Sequence, residues 1–331
     1  MQLSASATRP VITPPRAVTA PVDTRPMRIT LDPSLTLDAA DQLGRTFVSS
    51  ASGIATFGPA GEATTWVVSD ELPGVAKFGA LNAPGTMVEG LAPATKKPDL
   101  ESVIVLPNDR WGAPPLLFAA GSGSSESRHR GLLFELDAKG AATRRPKTVD
   151  LAPLHAALAK RLPMGVNIEG MALRDGAAGQ ELLLFHRGQI AGDRNVVFTL
   201  DAIDAMAALR NDRPIPASAI RGEHVIDLGE YDGAPLGFAD ARALPDGRIA
   251  FIASAEASTE RGDGAILGSV VGTLDRDLAV TSLRPLMGVP RKAEGIELAR
   301  RFDARADAND IVLVTDPDDP AKPAEVLRAT L

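Results

Sequence analysis

The chain contains no cysteine. Disulfide staples, thiolate nucleophiles and cysteine-based zinc sites are therefore excluded. The absence agrees with a cytoplasmic location, and with a periplasmic one if a leader has been removed. Aromatic residues are scarce, with two Trp and one Tyr, too few for a platform that stacks nucleic-acid bases. Positive charge is not in excess either. The net charge of -7 supplies no basic field, so neither a nucleic-acid nor a membrane partner is expected. No stretch approaches the roughly 20 apolar residues of a membrane span. Of the four histidines, none pairs at H-x-x-x-H spacing, which disfavours a helix-borne zinc site. Neither a P-loop nor a dinucleotide fingerprint occurs.

What the chain does have is proline at its start and a repeat through the remainder. Residues 9–26 carry Pro10, Pro14, Pro15, Pro21 and Pro26. Proline cannot donate to a strand ladder, so residues 1–26 are expected to form an extended or disordered arm preceding a domain over 27–331. From there a short pattern recurs: a small or acidic polar residue, a small residue, then an apolar run. Its third positions are Ser52, Glu101, Glu169, Asp240 and Glu294, spaced by 49, 68, 71 and 54 residues. Propeller blades repeat at roughly 40–50 residues, and helical-looking insertions at 151–162 and 202–210 account for the two long intervals. Each copy precedes a second, near-continuous apolar run, such as Leu182-Leu183-Leu184-Phe185 or Ile311-Val312-Leu313-Val314, as a strand buried on both faces requires.

The fold expected is all-β: a single propeller of about five four-stranded blades, with six as the alternative count. The last unit lacks a fourth strand, and residues 27–35 are expected to supply it, closing the ring by pairing the two chain ends. The molecule is expected to act as a monomer.

In such a ring the start of each innermost strand and the end of the second lie on one face, because the two are antiparallel. Glu101, Glu169, Asp240 and Glu294 are thereby expected around one channel mouth, with Asp70, His186, Arg187, Glu256 and Asp316 nearby. Crowded carboxylates repel one another and need a counter-charge. Calcium or magnesium, held by Glu101, Glu169, Asp240, Glu294 and Asp316, would meet that need through oxygen ligands. Arginine and lysine partners, or a purely structural role, are the competing readings. His186 and Glu256 are the candidate general bases. The glycine-serine loop at 121–125 does not fit the G-x-S-x-G nucleophile elbow. With Arg128 it is read as a ligand-binding lid, so Asp70, Ser122, Ser124, Arg128 and Arg187 form a candidate set for a small-molecule or peptide ligand.

Two stretches, Asn167-Ile168-Glu169-Gly170 and Lys292-Ala293-Glu294-Gly295, resemble the Glu-Gly openings of the esterase-like phytase propellers. Ser52-Gly53-Ile54, Ser69-Asp70 and the loop at 121–125 resemble a family of uncharacterised bacterial propellers over most of the chain. The resemblances imply a bacterial, metal-binding propeller that hydrolyses esters or phosphoesters. With the acidic mouth, the function expected is a metal-dependent hydrolase of esters, lactones or phosphoesters, with a non-catalytic binding propeller as the alternative. The pattern departs from the phytase group at Ser52, Ser102 and Ala241, and no basic cluster suited to a polyphosphate accompanies it.

Overall fold

Alternation of buried and half-buried strands sets the architecture. A computed structural model describes residues 12–13, 22–41, 43–72, 74–91, 97–108, 112–177, 179–188, 192–257, 264–287 and 291–331. Five antiparallel sheets stand around one axis as a five-bladed β-propeller. Blade 1 is Ala51–Phe57, Thr64–Ser69, Gly74–Phe78 and Thr86–Glu89. Blade 2 is Leu100–Leu106, Leu116–Gly121, Arg130–Glu135 and Lys147–Asp150. Blade 3 is Ile168–Gly176, Gly179–His186, Asn195–Asp201 and Ile220–Ile226. Blade 4 is Ala234–Ala243, Ile249–Ala257, Ala265–Leu274 and Val280–Pro285.

Blade 5 draws on both chain ends. Lys292–Leu298, Asp310–Asp316 and Val326–Thr330 are completed by Thr30–Asp32, which pairs antiparallel with Val326–Thr330. The closing strand is shorter than the 27–35 expected. Of the proline-rich arm, residues 1–11 and 14–21 lie outside the described residues. Ile12–Thr13 adds to blade 4 through Glu230–Tyr231, and Asp23 and Met27 bridge to Ser282 on the blade's outer strand and to Leu286 just beyond it.

The core lies between blades. Second strands such as Thr64–Ser69 and Leu116–Gly121 are buried along their whole length. Phe185, Phe238 and Phe251 stack edge to face at 5.1 and 5.2 Å across blades 3 and 4, the geometry that ring quadrupoles favour. The two insertions fold as helices α1 (Ala152–Ala159) and α2 (Ala202–Arg210). Their Leu154, Leu158, Met206 and Leu209 join the cluster between blades 2 and 3 with Phe118 and Phe198. Asp201 caps α2, its carboxylate accepting from the Ile203 and Asp204 amides, which satisfies donors that a helix start leaves open. Among the described residues no helix is long and apolar enough to cross a membrane.

Candidate functional site

All five innermost strands carry the same irregularity near their start. Pairing with the second strand skips one inner-strand residue, namely Ser52, Glu101, Glu169, Ala239 and Glu294. A bulged residue leaves the ladder and re-aims its side chain. In four blades that residue is the third of the sequence repeat, and Ser52, Glu101, Glu169 and Glu294 all line one cavity of about 220 Å³. The following glycine matters in blades 3 and 5. A Cβ on Gly170 would stand 2.8 Å from the Asp240 Cα, and one on Gly295 would stand 3.0 Å from the Gly53 Cα. The inner strands approach too closely there for any side chain.

Blade 4 breaks the pattern. Its bulge falls on Ala239, so Asp240 occupies the place of Gly53, Ser102, Gly170 and Gly295 rather than that of the acids. The expectation that Asp240 joins the mouth is corrected accordingly. Asp240 is buried away from the cavity lining, and its carboxylate accepts from the Ala241 amide at 2.8 Å and the Ile296 amide at 3.0 Å. It ties blade 4 to blade 5, 3.8 Å from the Arg242 guanidinium. Burial pushes its carboxyl up to about 7.

The second strands deliver another ring. One residue beyond the pair that precedes each bulge, the second strand places Asp70, Ser122, Arg187, Ser254 or Asp316. Backbone bonds lock neighbouring blades at this level: the Asp99 amide donates to the Asp70 carbonyl at 2.9 Å, and the Ile168 amide to the Ser122 carbonyl at 2.8 Å. Asp70, Arg187 and Asp316 line the cavity, with Ser124 and Arg128 from the loop that follows Gly121. Ser122 sits behind them, its hydroxyl donating to the Asp99 carboxylate. Gly123, at φ +79°, lets the loop fold over His155, whose Nδ1 would stand 2.6 Å from a Cβ there.

Neither expected general base lines the cavity. His186 pairs with Ile168 inside the blade and is fully buried. Its Nδ1 accepts the Asn167 amide at 3.0 Å, and its Nε2 faces an Asp193 oxygen at 3.5 Å. Strand alternation turns the next residue, Arg187, to the mouth instead. Glu256 is absent from the lining and pairs instead with side chains that belong to it. Arg187 Nη2 donates to its Oε1, the Gly264 amide donates to its Oε2 at 3.3 Å, and Lys292 Nζ stands 3.8 Å away.

Six carboxylates and four cationic side chains line the cavity. Lys97 pairs with Asp70, and Arg128 with Asp99 at 3.0 Å. Arg187 lies 4.0 Å from Glu169 and 3.7 Å from Glu294, which Lys292 approaches at 3.7 Å. Glu101, from the centre of this group, makes no hydrogen bond or ion pair among the described residues. It shares two groups of carboxylate oxygens that lie within 4.8 Å of one another, one with Glu169 and Glu294 and one with Asp70 and Asp99. Burial first, then the charge of Glu169, raises Glu101 well above the ordinary carboxylate range. Burial outweighs Arg187 to push Glu169 up to about 8, and outweighs Lys292 to do the same for Asp316. Burial raises Asp70 to about 6 against the pull of Lys97.

The donor set suits a hard divalent cation, which takes carboxylate oxygens from separate strands. Two observations bear on that fit. Glu294 Oε1 and Asp70 Oδ1 are buried oxygens without hydrogen-bond partners, a costly arrangement unless something else satisfies them. Lys97, Asp99 and Asn167 also line the cavity, and Asn167 Nδ2 donates to Glu169 Oε1 at 2.5 Å. They are absent from the site expected on sequence. The first position of the repeat carried the signal, being Asp99 in one copy and Asn167 in another.

A family model described as a family of unknown function (DUF6929) matches residues 47–331. No curated protein matches the chain. Among solved structures, a hypothetical protein from Leishmania major is similar at 11% identity and TM-score 0.48, covering 91% of this chain and 90% of that one. A calcium-binding protein, regucalcin, from Agrobacterium tumefaciens is similar at 12% identity and TM-score 0.41, covering 90% and 97%. A thermostable family-43 glycoside hydrolase is similar at 9% identity and TM-score 0.48, covering 89% and 92%.

Proposed function

The chain belongs to the DUF6929 family, and we propose that its channel mouth is a calcium or magnesium site that presents a small molecule for hydrolysis at an ester, lactone or phosphoester bond. The observation that carries this reading is Glu101: a buried carboxylate with no hydrogen bond or close ion pair among the described residues, within ligand spacing of Glu169 and Glu294. Buried carboxylates that lack a counter-charge hold protons instead, and a divalent ion relieves that cost directly.

Glu101, Glu169 and Glu294 would hold the ion, with Asp316 facing them across the cavity. A bound divalent cation polarises a carbonyl or phosphoryl oxygen and lowers the pKa of water. The protein's own part is to orient and to exclude water. Asn167 fixes one Glu169 oxygen, Arg187 and Lys292 flank Glu294, and Arg128 and Ser124 line the same cavity, where a substrate's polar groups would bind. His186 and Glu256 are left out of the chemistry, so a carboxylate of the mouth itself serves as base. The sequestration of both expected bases favours the second reading, a non-catalytic ligand-binding propeller that uses the same ion.

The test is thermal unfolding with calcium, with magnesium and with EDTA, for wild type and Glu169→Gln. An ion that binds only the folded chain adds about 2.7 kcal/mol at a hundredfold excess over Kd. A midpoint that rises with the ion in wild type and not in Glu169→Gln supports the site. A midpoint indifferent to both ions removes it. A panel of ester, lactone and phosphoester substrates assayed with the ion then separates hydrolase from binding module.

A further inference from the structure

Glu101 belongs to two groups of carboxylates at ligand spacing. One is the triad with Glu169 and Glu294. In the other, an oxygen of Glu101 lies within 4.8 Å of oxygens of Asp70 and Asp99. We propose that Asp70, Asp99 and Glu101 form a second divalent-cation site, so that Glu101 bridges two ions across the mouth. This rests on the cation reading of the same mouth and extends it from one ion to two.

Three further observations support the second site. Asp70 is 8% exposed, and its Oδ1 has no hydrogen-bond partner while its Oδ2 pairs with Lys97. One buried oxygen is thus left for a ligand that is neither an amide nor an ammonium. The backbone also fixes the spacing of the two aspartates. The Asp99 amide donates to the Asp70 carbonyl at 2.9 Å, and Asp99 stands at φ +58°. That left-handed conformation is one that Asp and Asn adopt and most other residues avoid. It turns the chain at the entry to blade 2 without a glycine, so a carboxylate stands where a turn residue was required.

The experiment is isothermal titration of the full chain with calcium chloride alone, repeated for Asp99→Asn, Asp70→Asn and Glu169→Gln. Far-UV circular dichroism confirms that each variant is folded. Asn accepts the backbone conformation of Asp99, and Asp70→Asn provides an independent removal of the same site. The expected result is two ions per chain in wild type, one in each aspartate variant, and weakened binding at the other site in Glu169→Gln. A wild-type stoichiometry of one, abolished by Glu169→Gln and unmoved by Asp99→Asn or Asp70→Asn, overturns the second site and leaves the first standing. Two ions retained in both aspartate variants also overturns it. No binding at all overturns both.

Discussion

Arg187 Nη2 donates to Glu256 Oε1 with both side chains almost wholly out of water. The contact crosses from blade 3 to blade 4, and the same guanidinium faces Glu169 and Glu294. One side chain thereby neutralises acids from three blades.

Removing that charge exposes the cost of the acids it serves. Arg187→Met is expected to lose about 3–5 kcal/mol at pH 7, the usual penalty for leaving buried charges uncompensated. Urea unfolding at pH 7 and at pH 5 measures it. The loss is expected to shrink at pH 5, where the freed carboxylates take up protons. An equal loss at both values would assign the effect to packing of the arginine stem instead.

The pH dependence of the metal-free protein follows from the raised carboxyls. Glu169 and Asp316 are pushed up to about 8, against about 4 in an unfolded chain. Between those values the folded chain binds more protons than the unfolded one. Their contribution is fully present below pH 4 and is lost as pH rises through 8. In EDTA the unfolding midpoint is therefore expected to fall between pH 6.5 and 8.5, and excess calcium is expected to flatten the fall. A midpoint that climbs over that window in EDTA contradicts the assignment.

Below pH 6.5 an opposing group acts. His155 is held at about 4 by burial, and secondarily by the charge of His129. A lowered histidine stays neutral in the fold, so its contribution is complete above about 6.5 and is lost as pH falls toward 4. His155→Gln is expected to reduce the acid-side loss between pH 6 and 4.5 in calorimetry. An unchanged acid limb would remove His155 from the account.

The close approach of inner strands gives a steric prediction. Gly170→Ala drives a methyl group against the Asp240 backbone, which cannot rotate away. A destabilisation of about 1–3 kcal/mol is expected, as for overpacking a core. Gly192→Ala is the control for a glycine with nothing within 4 Å. Its φ of +88° limits its cost to backbone strain. Gly170 is not among the positive-φ glycines, so a loss there well below about 1 kcal/mol would contradict the strand contact.

The ring was readable because blade repetition leaves the same apolar second strand after each polar start. Closure was readable because blade 5 visibly lacked a strand. Glu101, Glu169 and Glu294 were placed correctly by the same repeat. Asp240 was not, because the bulge in blade 4 moves back by one residue to Ala239, and a one-residue shift changes which side chain leaves the ladder. His186 failed for the same reason of parity, since Arg187 is the residue that faces the channel. Lys97 comes from the connection between blades 1 and 2, where no periodicity marks a residue as facing anything.

Thr30–Asp32 and Val326–Thr330 lie at opposite ends of the sequence and share one ladder. During synthesis the first of these emerges from the ribosome long before the second exists. Four blades can form before Val326–Thr330 has emerged, but until then the second strand of blade 5, Asp310–Asp316, has no partner on its outer side. Loop closure over almost the whole chain then becomes the final step, and the slowest that contact order predicts. The mouth takes Glu294 and Asp316 from blade 5. A ribosome stalled short of Val326 therefore carries those two residues on a pair of strands that lacks its outer half.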